Sequence, residues 1–215
     1  MQTLNFISGL GADERVFSHL NINGYDQNYI TWLEPFKNET VENYARRLSL
    51  QIDTAKTNIL VCVSFGGIIG IELSKLIKFE KIIIISSVKN KYEIPVYYRI
   101  TGKLKLYRLL PGAVLKSYNS IIAWCFGVEN QNEKELLKSI FKDTDKVFLK
   151  WAISKITGWK STARTDNLFH IHGTCDRLFP VRYVKDCIKV DKGQHFMIVS
   201  KADEISKIIN DIIGA

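Results

Sequence analysis

The chain has 215 residues, of which 24% are charged and 46% apolar, and its net charge is +8. These proportions are typical of a globular protein, and a chain of this length buries a large core. No stretch approaches the ~18 consecutive apolar residues of a transmembrane helix, and residues 1–5 lack the basic start of a signal peptide. We therefore expect one globular domain over residues 1–215, with no transmembrane segment.

The cysteines indicate the compartment. Cys62, Cys125, Cys175 and Cys187 show no paired spacing along the chain. Free thiols in a reducing compartment fit this pattern better than disulfides or a zinc site. We therefore expect a cytoplasmic protein without a bound metal.

Strand and helix patterns alternate along the chain. In chain order we predict strands over residues 4–7, 29–33, 58–63, 81–85, 168–172 and 188–190. Helices are predicted around Val16 and over residues 40–52, 68–77, 183–188 and 202–213. Asp13 and Thr40 are the expected N-caps of the first two helices. This alternation predicts a three-layer αβα sandwich, in which helices cover both faces of a mostly parallel sheet.

Residues 89–165 interrupt this alternation with four consecutive helix patterns, over 96–109, 113–126, 133–141 and 144–156. The segment carries 15 Lys and Arg against 6 Asp and Glu, a net charge of +9, whereas the rest of the chain has 15 against 16, a net charge of −1. Its charges either face the functional site and attract an anionic substrate, or only solvate helix surfaces. We expect Phe126, Trp151 and Trp159 to form the core of this segment; the alternative is that they line an acyl pocket.

Ser64 stands at the junction of an apolar strand and an apolar helix, within Val-Cys-Val-Ser-Phe-Gly-Gly at residues 61–67. A chain that turns from strand to helix within one residue forces that residue toward positive φ and needs small neighbours, here Gly66 and Gly67. The turn exposes the hydroxyl and points the Phe65 N–H at a developing oxyanion. The simpler interpretation is that Ser64 only caps the helix.

A serine nucleophile needs a histidine to take its proton and a carboxylate to orient that histidine. Asp176 directly follows the strand at residues 168–172, and His195 lies in the loop after the last strand. Asp166 precedes its strand, so Asp176 is the better candidate. The alternative is that Asp176 is an ordinary turn residue and His195 an ordinary loop residue. We expect a structural role for His172.

The residues around Ser64 resemble the nucleophile elbow of the α/β-hydrolase family, Gly-x-Ser-x-Gly, with Cys62 in place of the first glycine. The order of serine, acid and histidine along the chain is also that of the family. The segments 13–17 and 193–197 look like those of small bacterial α/β-hydrolases of unassigned substrate. The resemblance covers residues 1–88 and 166–215. It implies the family's sheet without its first two strands, and a helical cap formed by residues 89–165.

The resemblance also implies a second oxyanion donor in the loop after the first strand. In Ser-Gly-Leu-Gly at residues 8–11 this donor is the N–H of Leu10. The family usually has a histidine at the position of Ser8, where that side chain supports the loop. The loop does not complete Gly-x-Gly-x-x-Gly, because residue 14 is Glu, so we do not expect a dinucleotide.

The sequence therefore predicts a serine hydrolase that cleaves a small-molecule ester or thioester without a cofactor. Ser64 attacks, His195 transfers the proton, Asp176 holds His195, and Phe65 and Leu10 bind the oxyanion. Two alternatives remain: a carbon–carbon bond hydrolase or lyase with the same triad, and a non-catalytic ligand-binding protein. We expect no nucleic-acid partner, and the sequence leaves the oligomeric state open.

Overall fold

The structure is a computed structural model that describes residues 2–105 and 118–214. In this part of the chain, six strands form one sheet in the order β2-β1-β3-β4-β5-β6, and every neighbouring pair is parallel. The strands are β1 Gln2–Ile7, β2 Asp26–Tyr29, β3 Thr57–Val63, β4 Lys81–Ile85, β5 Leu168–Gly173 and β6 Ile188–Val190. Parallel strands end at the same edge, so the loops that carry Ser64, Asp176 and His195 share one side of the sheet.

Eight α-helices are described, together with short 3₁₀ turns. They are α1 Val41–Leu48, α2 Phe65–Leu73, α3 Val96–Lys103, α4 Ser120–Phe126, α5 Gln131–Asp143, α6 Lys146–Gly158, α7 Met197–Ser200 and α8 Ala202–Gly214. The expected caps are present, since Asp13 accepts a hydrogen bond from the Arg15 N–H and Thr40 from the Asn43 N–H. None of the helices in the described ranges combines the length and hydropathy that a bilayer-spanning helix needs.

Two apolar clusters cover the two faces of the sheet. Successive side chains of a strand point to opposite faces, so in β3 Leu60 and Cys62 pack with α1 and α2, whereas Val61 and Val63 pack with α8. Both faces are buried, which explains why the central strands are continuous apolar runs. The predicted three-layer sandwich is confirmed.

The second strand is Asp26–Tyr29, so the prediction of residues 29–33 is wrong. Among the described strands only β1 pairs with this one, and its polar sequence suits an edge that is half exposed. The apolar residues that follow are packed for another reason, and Trp32 and Leu33 are partly buried. Trp32 stacks on Phe65 with ring centroids 5.5 Å apart, and the Leu33 backbone exchanges two hydrogen bonds with the Tyr44 hydroxyl.

The helix predicted over residues 183–188 is also wrong. A 3₁₀ turn occupies Val181–Tyr183, and the chain then extends toward β6. Asp186 has a φ of 45°, which an α-helix does not allow. The apolar spacing in this region arises because Val184 is buried in a loop.

Residues 89–165 contain helices α3 to α6, and the predicted helices 96–109 and 113–126 partly lie in 106–117, outside the described residues. The tryptophans of this segment do not form a separate core, contrary to expectation. The Trp151 Nε1–H donates to the Glu39 carbonyl at 3.0 Å, and the Trp159 Nε1–H donates to Glu72 Oε1 at 2.8 Å. Both rings therefore extend the cluster formed by α1 and α2.

Candidate active site

Ser64 occupies a strained turn between β3 and α2, with φ 53° and ψ −119°. Its N–H donates to the Ile85 carbonyl at 2.9 Å, which ties the turn to the end of β4. A Cβ on Gly66 would lie 2.4 Å from the Ser8 carbonyl oxygen, so only glycine fits at that position. The Ser64 side chain makes no capping hydrogen bond to α2, which argues against a capping role.

Cys62 fits at the first position of the elbow motif because α2 has a glycine opposite it. Cys62 is fully buried, and a Cβ on Gly70 would lie 2.6 Å from the Cys62 Sγ. The volume of the thiol therefore occupies space that a side chain at Gly70 would fill. Burial raises the pKa of the Cys62 thiol well above its usual range, which suits a packing role rather than a nucleophile.

Ser87 supports the elbow, and the sequence analysis missed it. Its hydroxyl donates to the Ser64 carbonyl at 2.7 Å, and a Cβ on Gly67 would lie 2.2 Å from the Ser87 Oγ. Ser87 follows the end of β4, so its position beside Ser64 depends on the pairing of β3 with β4. Local sequence carries no signal for that contact.

Ser64, His195 and Asp176 form a continuous hydrogen-bonded relay. The distance from His195 Nδ1 to Asp176 Oδ2 is 2.8 Å, and that from His195 Nε2 to Ser64 Oγ is 2.9 Å. A carboxylate only accepts, so the proton lies on Nδ1 and Nε2 accepts from the Ser64 hydroxyl. This is the geometry in which a histidine acts as a general base toward serine.

Asp176 is buried, and the carboxylate oxygen that does not contact His195 accepts two backbone hydrogen bonds. Oδ1 accepts hydrogen bonds from the Leu178 and Phe179 N–H groups, both at 2.8 Å. These bonds leave Oδ2 for His195. Asp166 is exposed and precedes β5, so it lies at the opposite end of the strand from the relay.

Two glycines bring the loops of the acid and the histidine together. A Cβ on Gly173 would lie 2.2 Å from the Gly193 carbonyl oxygen, and the Cys175 N–H donates to that same oxygen at 2.8 Å. Gly173 ends β5 and Gly193 precedes the histidine loop. The close approach of these two backbones is what sets Asp176 beside His195.

Aromatic side chains enclose His195. The ring of Phe126 from α4 lies 5.4 Å from the imidazole, edge to face, and that of Phe179 lies 5.7 Å away. Tyr98 from α3 contacts Phe179 in turn, with ring centroids 6.4 Å apart. Helices of the 89–165 segment therefore border the relay, and they exclude water from part of it.

The residues that follow Asp176 and His195 in the chain both bind α4. Arg177, next to Asp176, donates to the Trp124 carbonyl at 2.7 Å and to Gln194 Oε1, and its guanidinium lies 4.6 Å from the centroid of the Trp124 ring. The Phe196 N–H, next to His195, donates to the Phe126 carbonyl at 3.0 Å. Sequence reasoning did not find the two bonds to α4, because each joins residues more than fifty positions apart.

The nominated oxyanion donors both lie at the elbow. Phe65 begins α2, where the first N–H groups of a helix have no partner within the helix. Leu10 follows Gly9, and a Cβ on Gly9 would lie 3.4 Å from the Ser64 Cβ, so this loop packs against Ser64. Among the described residues, neither N–H donates a hydrogen bond to the protein.

Ser8 stabilises the loop that carries Leu10. Its hydroxyl donates to the Ala12 carbonyl at 2.6 Å and accepts from the Trp32 Nε1–H at 2.9 Å. Serine and tryptophan together therefore support the loop where the family usually uses a histidine. A cavity of about 430 Å³ lies behind this loop, between Trp32 and Thr144, but Ser64 and His195 do not line it.

Two further histidines are buried beside the relay, and neither contacts Ser64. His170 Nε2 lies 3.2 Å from His172 Nδ1, and His172 Nε2 lies 2.7 Å from the Phe179 carbonyl oxygen. Burial lowers the pKa of both imidazoles, so they are neutral near pH 7. Within residues 2–105 and 118–214, no group of three or more His, Cys, Asp or Glu side chains is placed to hold a metal ion.

Several solved structures have the same architecture. An esterase from Exiguobacterium antarcticum superposes with a TM-score of 0.72 and 13% identity, covering 100% of this chain and 92% of its own. An enol-lactonase from Burkholderia xenovorans superposes with a TM-score of 0.68 and 16% identity, covering 100% of this chain and 92% of its own. An α/β-hydrolase fold protein from Burkholderia ambifaria superposes with a TM-score of 0.70 and 12% identity, covering 98% of this chain and 90% of its own. The chain has the α/β-hydrolase fold. No family model matches the sequence, and no curated protein does.

In the α/β-hydrolase fold the nucleophile lies on a sharp turn after a central strand, followed along the chain by the acid and then the histidine. Ser64, Asp176 and His195 occupy these positions in the described sheet, after β3, β5 and β6 respectively. The identities of 12–16% are too low to carry a substrate from any of these proteins to this chain.

Proposed function

We propose that this protein is a serine hydrolase that cleaves an ester or thioester through an acyl-enzyme. The observation that carries the proposal is the relay from Ser64 through His195 to Asp176, with both hydrogen bonds at 2.8–2.9 Å and the serine at positive φ. A strained serine that bonds a histidine rather than its own helix is expected for a nucleophile.

The reaction follows from the proton positions. Ser64 Oγ attacks the substrate carbonyl carbon as its proton passes to His195 Nε2, and the oxyanion is bound by the N–H groups of Phe65 and Leu10. His195 gives the proton to the leaving alcohol or thiol, which leaves an acyl group on Ser64. Water then attacks the acyl-enzyme with the same histidine as base, and releases the acid. The steps need no metal or organic cofactor, because the serine is the nucleophile and the histidine transfers the proton.

The similar structures support an ester substrate, since one is an esterase and another is an enol-lactonase, whose name denotes a cyclic ester. Carbon–carbon bond hydrolysis or a lyase step on the same triad is the alternative enzyme reaction. The other alternative is a ligand-binding protein that does not turn over. We further propose that the protein works in the cytoplasm, which its four unpaired cysteines support.

Covalent labelling distinguishes an enzyme from a binding protein. A fluorophosphonate should modify the protein once, at Ser64, as detected by intact mass and peptide mapping. Ser64→Ala should abolish both labelling and the hydrolysis of p-nitrophenyl acetate, with a loss of about 10⁶-fold in kcat for a complete triad, while the thermal transition stays nearly unchanged.

A Cys62→Ala variant serves as the control and should retain labelling, because that thiol is fully buried. Retention of most esterase activity by Ser64→Ala would reject the proposal. Labelling of the wild type without turnover of any ester or thioester in a panel would favour the carbon–carbon bond reaction. Absence of labelling would favour the binding protein.

A further inference from the structure

His170 and His172 alternate along β5, so their side chains share one face of the sheet. Both are buried, at 2% and 0% exposure. A hydrogen bond of 3.2 Å joins His170 Nε2 to His172 Nδ1, and a second of 2.7 Å joins His172 Nε2 to the Phe179 carbonyl oxygen. The chemistry proposed above uses neither imidazole.

The contacts define where the protons lie. A carbonyl oxygen only accepts, so the Nε2 of His172 carries a proton. A neutral imidazole has one N–H, which makes His172 Nδ1 an acceptor and places a proton on His170 Nε2. The His170 Nδ1 is then an acceptor, and no described residue hydrogen-bonds to it. Leaving that atom unpaired costs stability, and an apolar side chain on this strand would avoid the cost.

His172 is connected to the acid of the relay in two ways. Its Nε2 lies 3.7 Å from Asp176 Oδ2, the oxygen that accepts the His195 proton. The Phe179 carbonyl that accepts from His172 belongs to the residue whose N–H donates to Asp176 Oδ1. The His172 N–H therefore fixes the turn that holds one carboxylate oxygen and presents partial positive charge to the other.

We propose that His172 is a positioning residue for Asp176: its Nε2–H keeps the 176–179 turn and the carboxylate in the orientation that His195 requires. The proposal rests on the proposed serine hydrolase function. A carboxylate that rotates within its pocket loses the directed bond to the imidazole, and misplacement by about 1 Å can reduce a rate about a hundredfold. His170 has a supporting role, because its donated proton holds His172 in the required tautomer.

Side-chain length provides the test. His172→Gln places an amide N–H close to where the imidazole Nε2 stood, whereas His172→Asn is too short to reach the Phe179 carbonyl, and His172→Leu has no donor. The control is Ile171→Ala on the same strand, whose side chain belongs to the core on the opposite face of the sheet.

We expect His172→Asn and His172→Leu to lower kcat at least about tenfold with little change in KM, and to shift the acidic limb of the pH profile of kcat/KM. His172→Gln should recover most of that loss. Ile171→Ala should lower the thermal transition without changing kcat or the profile. If the Asn and Leu variants behave like the Ile171 control, His172 only fills the core and the proposal is wrong.

Nuclear magnetic resonance of the wild-type protein tests the proposal without turnover. The chain has only four histidines, so ¹⁵N labelling should resolve them. His172 should appear as the neutral Nε2–H tautomer from pH 6 to 8, and the proton between His195 and Asp176 should give a downfield signal that His172→Asn removes and His172→Gln retains. A neutral Nδ1–H tautomer at His172 would overturn the proposal even if no variant folds. A wild type that does not react with fluorophosphonate would refute the hydrolase function, and the spectra would still judge the positioning role.

Discussion

Asp176 holds His195 through one oxygen, while its other oxygen accepts two backbone N–H groups. This arrangement matters because a carboxylate with one oxygen fixed by hydrogen bonds cannot rotate away from the imidazole. At the scale of single residues, the site therefore depends on which groups accept and which donate.

Replacing the Asp176 carboxylate by an amide tests whether it orients His195. Asp176→Asn should lower the rate of acyl transfer by about 10⁴-fold, because an amide N–H facing His195 favours the tautomer with the proton on Nε2. Asp166→Asn is the matched control, since Asp166 is exposed at the other end of β5, and it should change the rate little. Pre-steady-state kinetics with p-nitrophenyl acetate measures both. A reversal of the two effects would mean that Asp176 is not the acid.

The buried histidine pair predicts a loss of stability in mild acid. The pKa of each imidazole is lowered in the folded protein, first by burial, from a usual value of 6.5. Lys89 and His172 lower that of His170 further, whereas Asp176 opposes the shift at His172. Below about pH 6.5 the unfolded chain then binds more protons than the folded one, so the free energy of unfolding falls as the pH falls.

The free energy of unfolding should fall by at most about 1.4 kcal/mol per pH unit for each histidine. Urea unfolding between about pH 7.5 and 5 measures it in the wild type and in His170→Phe, which should lose less stability over the same range because one group is removed. Equal slopes in the two proteins would show that His170 does not titrate differently on folding.

At the scale of elements, β3 and α2 pack through a matched pair of small residues. Gly70→Ala should destabilise the protein by about 1–3 kcal/mol, because the new Cβ would lie 2.6 Å from the Cys62 Sγ. In a Cys62→Ala background the same change should cost less, with a coupling energy of at least about 0.5 kcal/mol. Thermal or urea unfolding measures the cycle.

Gly158→Ala is the control for backbone effects, because nothing lies within 4 Å of a Cβ at that position. It should leave stability unchanged or raise it by about 0.4–1 kcal/mol. Additive effects of Cys62→Ala and Gly70→Ala would refute the packing explanation for the cysteine in the elbow.

Sequence patterns identified elements best where burial is uniform. The strand Lys81–Ile85 is predicted to the residue, because a central parallel strand is apolar on both faces, and Glu80 and Ser86 mark the two ends of the apolar run. The edge strand Asp26–Tyr29 is missed, because its polar sequence lacks that pattern and the apolar residues after it pack in a loop. A strand is thus placed wrongly where apolar residues pack in a loop rather than in a regular strand.

At the scale of the whole molecule, charge is unevenly distributed. Residues 89–165 have a net charge of +9 and the remainder −1. The described helices α3 and α4 border the relay through Tyr98 and Phe126. That these residues act as a cap, and that their charges attract an anionic substrate, remain predictions.

Salt dependence tests the second of these predictions. If the charges face the site, kcat/KM for an anionic substrate such as a coenzyme A thioester should fall steeply with added salt, because screening acts over about 8 Å at physiological ionic strength. A neutral ester of similar size should show no change. Replacing Lys103, Lys105 and Arg108 together by Gln should reproduce the fall at low salt.

The matched control removes three exposed lysines from outside the 89–165 segment, Lys37, Lys78 and Lys207, and lowers the net charge equally. It should leave the preference for the anionic substrate intact. Equal responses of the two substrates, or equal effects of the two triple variants, would mean that the basic segment only solvates its surface.

By itself, the sequence determined the alternation of strands and helices, the sharp turn at Ser64, and the positions of Asp176 and His195 just after strands. These features are local, because a strand period, a cap or a glycine at a turn depends on neighbours along the chain. Only the tertiary structure decided that Ser87 supports the elbow, that Gly70 accommodates Cys62, and that His172 meets the turn beside Asp176. Each of these contacts joins different elements, and their distances depend on strand pairing and helix packing, which no local pattern encodes.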